Sequence, residues 1–154
     1  MATLYLSLGT NLGDRQLNLE TALTLIGQKI GTIQAMSGVL ETVSWGYDSP
    51  NRFLNLAVKV KTGLTPQETL KASKGIEKEM GRTTKTDTNG YQDRIIDIDI
   101  LMYNDMVMET PELTLPHKLM HKRRFVLEPL AEIAPELVHP VMQKTIRELL
   151  HDTE

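Results

Sequence analysis

Phe53-Leu54-Asn55-Leu56-Ala57-Val58-Lys59-Val60-Lys61 leads, three residues on, into Thr65-Pro66-Gln67-Glu68. Alternation puts Leu54, Leu56, Val58 and Val60 on one face of a strand and Phe53, Asn55, Ala57, Lys59 and Lys61 on the other. Thr as cap, Pro at the first helical position and Glu at the third form a capping box with a pre-set first turn. The spacing predicts a helix from Pro66 to Met80, stopped by Gly81. Upstream, Thr3 to Leu8 alternates with Leu4, Leu6 and Leu8 on one face. The turn residues Gly9 to Asp14 follow, with Asp14 capping a helix over Arg15–Lys29. A second strand falls within Thr32 to Thr42, and Trp45 to Asn51 reads as a loop.

Downstream, Ile95 to Tyr103 is a strand with Ile96, Ile98, Ile100 and Met102 on one face. Asn104-Asp105 turns the chain, and Met106 to Thr110 is expected to return as a hairpin arm. Arg123 to Ile133 has helical spacing perturbed by Pro129. Thr145-Ile146-Arg147-Glu148 is a second capping box that opens a short terminal helix. The order β-α-β-β-α-β predicts an α+β fold with a ferredoxin-like core and an extra C-terminal hairpin and helices. Strands with one apolar face predict a mostly antiparallel sheet with helices on one side. The 154 residues read as a single domain spanning 1–154.

Composition narrows the function. Absence of cysteine excludes a disulfide scaffold, a thiol nucleophile and sulfur-ligated zinc. A net charge of −3 argues against a nucleic-acid partner, since phosphate neutralisation needs a basic surface. No segment approaches a membrane span, and the N-terminal residues have no basic region before an apolar run. The expectation is a cytoplasmic protein. It lacks a Gly-x-x-x-x-Gly-Lys phosphate loop, a Gly-x-Gly-x-x-Gly turn and a Gly-x-Ser-x-Gly elbow.

The chemistry centres on Arg94-Ile95-Ile96-Asp97-Ile98-Asp99-Ile100-Leu101. Two apart on a strand, Asp97 and Asp99 project from one face, their Cα atoms roughly 6–7 Å apart. Like charges so placed raise each other's pKa unless a cation lies between them, and oxygen-only ligands favour Mg²⁺ or Ca²⁺. A solvated polar strand face is the competing reading, but aspartate is depleted in strands. Arg94, Arg82 and Lys85 lie nearby in sequence. His117-Lys118-Leu119-Met120-His121-Lys122-Arg123-Arg124 has no acid. An acid pair opposite arginines suits phosphoryl transfer, and a solvated basic surface is the alternative. Phe53 beside Asn55 offers a stacking ring and an amide for a flat heterocycle, or else a second apolar layer with one satisfied Asn. His117 and His121, four apart, are a poor zinc pair because Pro116 favours a loop, and an anion contact suits His117 better.

Together these pieces resemble the 6-hydroxymethyl-7,8-dihydropterin pyrophosphokinases of folate biosynthesis. The resemblance is carried by Leu8-Gly9-Thr10-Asn11-Leu12-Gly13, Phe53-Leu54-Asn55-Leu56-Ala57-Val58, Met80-Gly81-Arg82, the Arg94–Leu101 stretch, Leu115-Pro116-His117 and Arg123-Arg124-Phe125-Val126-Leu127-Glu128-Pro129-Leu130. It implies an ATP- and Mg²⁺-dependent transferase that moves the β,γ-pyrophosphoryl group of ATP to the pterin hydroxymethyl and releases AMP. It implies two Mg²⁺ ions on Asp97 and Asp99, with Arg82 and Arg94 clamping phosphates and assisting transfer. Thr42, Val43, Trp45, Gly46, Phe53, Asn55, Asp97 and Phe125 would surround the pterin. Lys74, Glu77, Arg82, Lys85, Arg94, Ile100, His117, Lys118 and Arg123 would face ATP. The partners implied are these two small molecules, acting on a monomer. The chain departs from many members at Asn89-Gly90-Tyr91-Gln92-Asp93-Arg94, where they carry Trp-Gly-Pro-Arg, and at Thr84 and Glu112, where they carry arginine. An ordinary γ-phosphoryl kinase and a non-catalytic RNA-binding module are the alternatives, separated by the nucleotide product and by titration with RNA.

Overall fold

The computed structural model describes residues 1–43, 52–81 and 95–153. Strands β1 (Ala2–Thr10), β2 (Thr32–Met36), β3 (Leu40–Thr42), β4 (Phe53–Thr62) and β5 (Asp97–Tyr103) form one antiparallel sheet. Its order is β2-β4-β1-β5, and β3 joins the same edge of β4 as β2. β2 and β3 are thus two runs of one interrupted edge strand. Helices α1 (Arg15–Lys29) and α2 (Pro66–Glu79) make the two crossovers. This is the ferredoxin-like arrangement that the element order predicts.

The helix starts follow from their caps. The Leu17 N–H donates to Asp14 Oδ1 at 3.1 Å. Around α2, the Glu68 N–H donates to Thr65 Oγ1 and the Thr65 N–H to Glu68 Oε1, which closes the capping box. Gly81, at φ +107°, ends α2 in a conformation that costs other residues strain.

The apolar alternation builds one core between the sheet and α1 and α2. Leu4, Leu6 and Leu8 of β1, Val58 and Val60 of β4, and Leu19, Ala22 and Ile26 of α1 all lie in it. Tyr5, Ala57, Leu101 and Met102 form a second core on the opposite face, with Val126, Leu127 and Leu130 of α3 (Arg124–Ile133) and Ile146 and Leu149 of α4 (Ile146–Asp152). Helices therefore cover both faces, not one. α3 runs through Pro129, which is buried in its apolar stripe.

Two further expectations are corrected. Met102 does not share a face with Ile96, Ile98 and Ile100. β5 pairs Met102 with Tyr5 and Ile100 with Leu6, leaving Leu101 as an extra residue. That bulge shifts the alternation by one and sends Met102 to the second core. Nor does the segment after Asn104 pair back on β5. Met108–Glu109 (β6) pairs with Thr114–Leu115 (β7) as a separate two-stranded ribbon. Among the described residues, no helix is long and apolar enough to cross a membrane.

Candidate active site

The sheet register assembles the site. Gly9 of β1 pairs with Asn55 on one side and with Asp97 on the other, while Ser7 pairs with Ala57 and Asp99. Asn55, Gly9 and Asp97 therefore stand in one row across three neighbouring strands, with the outer Cα atoms roughly 10 Å apart. Phe53 and Asp99 lie on the same face, where among the described residues α3 and α4 pack on the part around Tyr5 and Ala57. Gly9 keeps the middle of the row open. A Cβ there would stand 3.5 Å from the Phe53 ring and 3.7 Å from Asn55 Oδ1.

Asp97 and Asp99 share this face because Ile96, Ile98 and Ile100 are buried on the other. Burial pushes the Asp99 carboxyl up to about 7, and the Asp97 carboxylate pushes in the same direction. Arg123 opposes this with Nη1 at 4.0 Å from Asp99 Oδ2. β5 is a sheet edge, and Glu77 of α2 covers its outward amide. The buried Glu77 accepts from the Ile98 N–H at 2.7 Å. The strand is thus also held on its outer side, between the two aspartates. Glu77 also adds negative charge near Asp99.

A cavity of about 240 Å³ runs along this edge. Lys74, Asp99, Ile100, His117 and Lys118 line it, together with Thr110 to Thr114 of the β6–β7 ribbon. Ile100, buried in the first core, also borders the cavity. The ribbon's part in the wall had no signal in the sequence beyond Glu112, noted above as a substitution. Burial and the nearby Arg123 push His117 down to about 4. Its Nδ1 accepts from the Leu119 N–H at 3.2 Å, which leaves Nε2 protonated in the neutral ring. A neutral His117 can offer a hydrogen-bond donor from Nε2 but no positive charge. His121 turns away from it toward His139, ring centroids 6.0 Å apart.

On the other side of the row, Asn55 is buried, and its amide nitrogen donates to the Leu40 carbonyl at 3.1 Å and to Thr42 Oγ1 at 2.8 Å. Its donors are spent on holding β3, and Oδ1 is the group left for a ligand. Phe125 opens α3, with the Arg123 guanidinium 5.7 Å from its ring centroid. Val43 is 66% exposed just past β3, and Lys74 keeps 63% of its side chain exposed. Trp45, Gly46, Arg82, Thr84, Lys85, Tyr91 and Arg94 lie outside the described residues.

Two carboxylates on one surface, one of them destabilised by the other, suit a hard divalent cation. Among the described residues no third acid or histidine joins them as a metal-binding group. A hard cation held by this pair would take its remaining ligands from water and from a ligand's own oxygens.

A family model described as 7,8-dihydro-6-hydroxymethylpterin-pyrophosphokinase (HPPK) matches residues 5–135. The chain belongs to this family. Its reaction is pyrophosphoryl transfer to a hydroxymethyldihydropterin, a step of folate biosynthesis. A 2-amino-4-hydroxy-6-hydroxymethyldihydropteridine pyrophosphokinase of Porphyromonas gingivalis is 45% identical over 141 residues, covering 91% of this chain and 95% of that one. The enzyme of the same name from Aquifex aeolicus is 41% identical over 148 residues, covering 96% and 90%. Among solved structures, a Plasmodium falciparum HPPK-DHPS with pteroate superposes with a TM-score of 0.81 at 22% identity. It is matched over 98% of this chain and 44% of its own length, so the likeness is to part of a fusion and speaks for the fold.

Proposed function

We propose that the pyrophosphoryl donor is ATP, that the product nucleotide is AMP, and that the protein works as a monomeric, single-domain, Mg²⁺-dependent enzyme of the cytoplasm. The observation that carries this reading is the row Asn55–Gly9–Asp97. It brings Phe53 and Asn55, which we read as an aromatic recess, onto one sheet face with the acid pair, with the cavity along β5 beside it.

In this reading the pterin lies between Phe53 and Phe125, with Asn55 Oδ1 accepting from its ring edge and Thr42, Val43, Trp45 and Gly46 around it. ATP occupies the cavity between α2 and the β6–β7 ribbon. Lys74, Lys118 and Arg123 attract the triphosphate, and the neutral His117 donates to one of its oxygens. Lys85, Arg82 and Arg94 belong to the same clamp by their resemblance to family positions. Asp97 and Asp99 would hold two Mg²⁺ ions, which would supply charge neutralisation across the phosphate oxygens. The acceptor oxygen bonds to the β-phosphorus as the bond from that phosphorus to the α-phosphate bridging oxygen breaks. Asp97, the acid on the Asn55 row, would take the hydroxyl proton, and AMP leaves with the bridging oxygen. Positioning and electrostatics do most of the work. The test is incubation with ATP, Mg²⁺ and 6-hydroxymethyl-7,8-dihydropterin, with chromatographic identification of the nucleotide. AMP with a pyrophosphorylated pterin is expected, and ADP would replace this reading with γ-phosphoryl transfer.

A further inference from the structure

Arg15, in the first turn of α1, reaches away from its own helix to two strands. Its Nη1 donates to Glu41 Oε2 at 2.9 Å and to the Arg52 carbonyl at 2.9 Å. Glu41 and Arg52 immediately precede Thr42 and Phe53, which face each other at the end of the β3–β4 ladder. That ladder has three residue pairs, and so short a ladder is the part of a sheet most prone to fray. It is stapled twice. Asn55 holds Leu40 and Thr42 from within the site. Arg15 holds both runs through Glu41, whose side chain alternates to the face opposite Leu40 and Thr42, and through the Arg52 carbonyl. Three residues along α1, Asn18 donates to Thr10 Oγ1 and the Leu12 carbonyl, which anchors the turn that follows Gly9.

We infer that Arg15 is a positioning residue for the aromatic recess: it touches no substrate, but fixes the separation of the two backbone runs that carry Thr42 and Phe53. The cavity along β5 lies on the opposite side of the row and shares none of these contacts. Loss of Arg15 therefore weakens the pterin and spares ATP. The inference rests on the pterin reading of the recess. The ion pair is half exposed, at 34% and 48%, and contributes little alone. Both bonds come from the one Nη1, and a glutamine at this position lacks that nitrogen's reach and the charge that strengthens the bond to the Arg52 carbonyl.

The experiment compares wild-type, Arg15→Gln, Arg15→Lys and Glu41→Gln proteins in steady-state assays, varying ATP and the dihydropterin separately. Arg15→Gln is expected to raise the pterin KM about three- to tenfold, with the ATP KM within about twofold of wild type. Arg15→Lys recovers part of the loss because an ammonium keeps the charge and the donors on a shorter arm. Glu41→Gln changes less because the Arg52 contact survives. Melting temperatures are read in parallel, and the two milder variants keep the test valid if Arg15→Gln folds poorly. Equal rises in both KM values, or a lower melting temperature with an unchanged pterin KM, would overturn the inference. A wild-type protein that forms no AMP with the pterin would instead sink the reading beneath it.

Discussion

On one face of the sheet, α1 and α2 cover Leu4, Leu6, Leu8, Val58, Val60, Ile96, Ile98 and Ile100, none more than 4% exposed. On the other face, among the described residues, α3 and α4 cover the half around Tyr5, Ala57 and Met102. The remaining half carries Phe53, Gly9, Asp97 and Asp99, all partly exposed. The same strands build both surfaces, because alternation lets β1 and β5 send leucines and isoleucines one way and a glycine and two aspartates the other. The sealed face stabilises the fold. The half-covered face can hold groups that are costly in isolation, such as the Asp97–Asp99 pair, because the sealed face fixes their strand.

This division makes the two surfaces separable by mutation. The largest effect belongs to the open half. Asp97→Ala should lower AMP formation by about a thousandfold or more while circular dichroism shows the fold intact. Near-normal Mg²⁺-dependent turnover in that variant would remove the metal assignment. Next comes the sealed face. Leu6→Ala should cost about 2–5 kcal/mol in denaturant unfolding, with little change in kcat for the protein that remains folded. A variant that lost turnover without losing stability would break the division there.

The finest test is Asp99→Asn. Asp99 titrates near 7, above its ordinary value, so its favourable contribution to stability is complete below about pH 4 and is lost as pH rises through about 7. Asparagine cannot ionise, so the variant should gain on wild type across that window, by about 1–3 kcal/mol at about pH 8 without metal, and yet be inactive. His117 works in the opposite sense. Its folded pKa lies below the ordinary value, so its cost grows as pH falls from about 6.5 toward 4. Thermal melts of both proteins from pH 4 to 8, each range about as wide as these shifts, separate the two groups. A pH-independent difference between variant and wild type would show that Asp99 is not strained by its surroundings.

Much of this was visible along the chain. The period-two pattern of β1, β4 and β5 and the caps at Asp14, Thr65 and Thr145 are local, because side-chain direction and capping need only the neighbouring backbone. The shared face of Asp97 and Asp99 is local for the same reason. The Leu101 bulge is not, since it exists only in the match between β5 and β1, and it reverses the side on which Met102 is buried. Nor could spacing foretell that Gly9 would sit between Asn55 and Asp97, that Glu77 would be spent on the Ile98 amide, or that Arg15 would join Glu41 to Arg52. These are contacts between residues far apart in the chain. Their geometry follows from strand register and helix docking, which arise when the apolar faces meet and are written in no single segment.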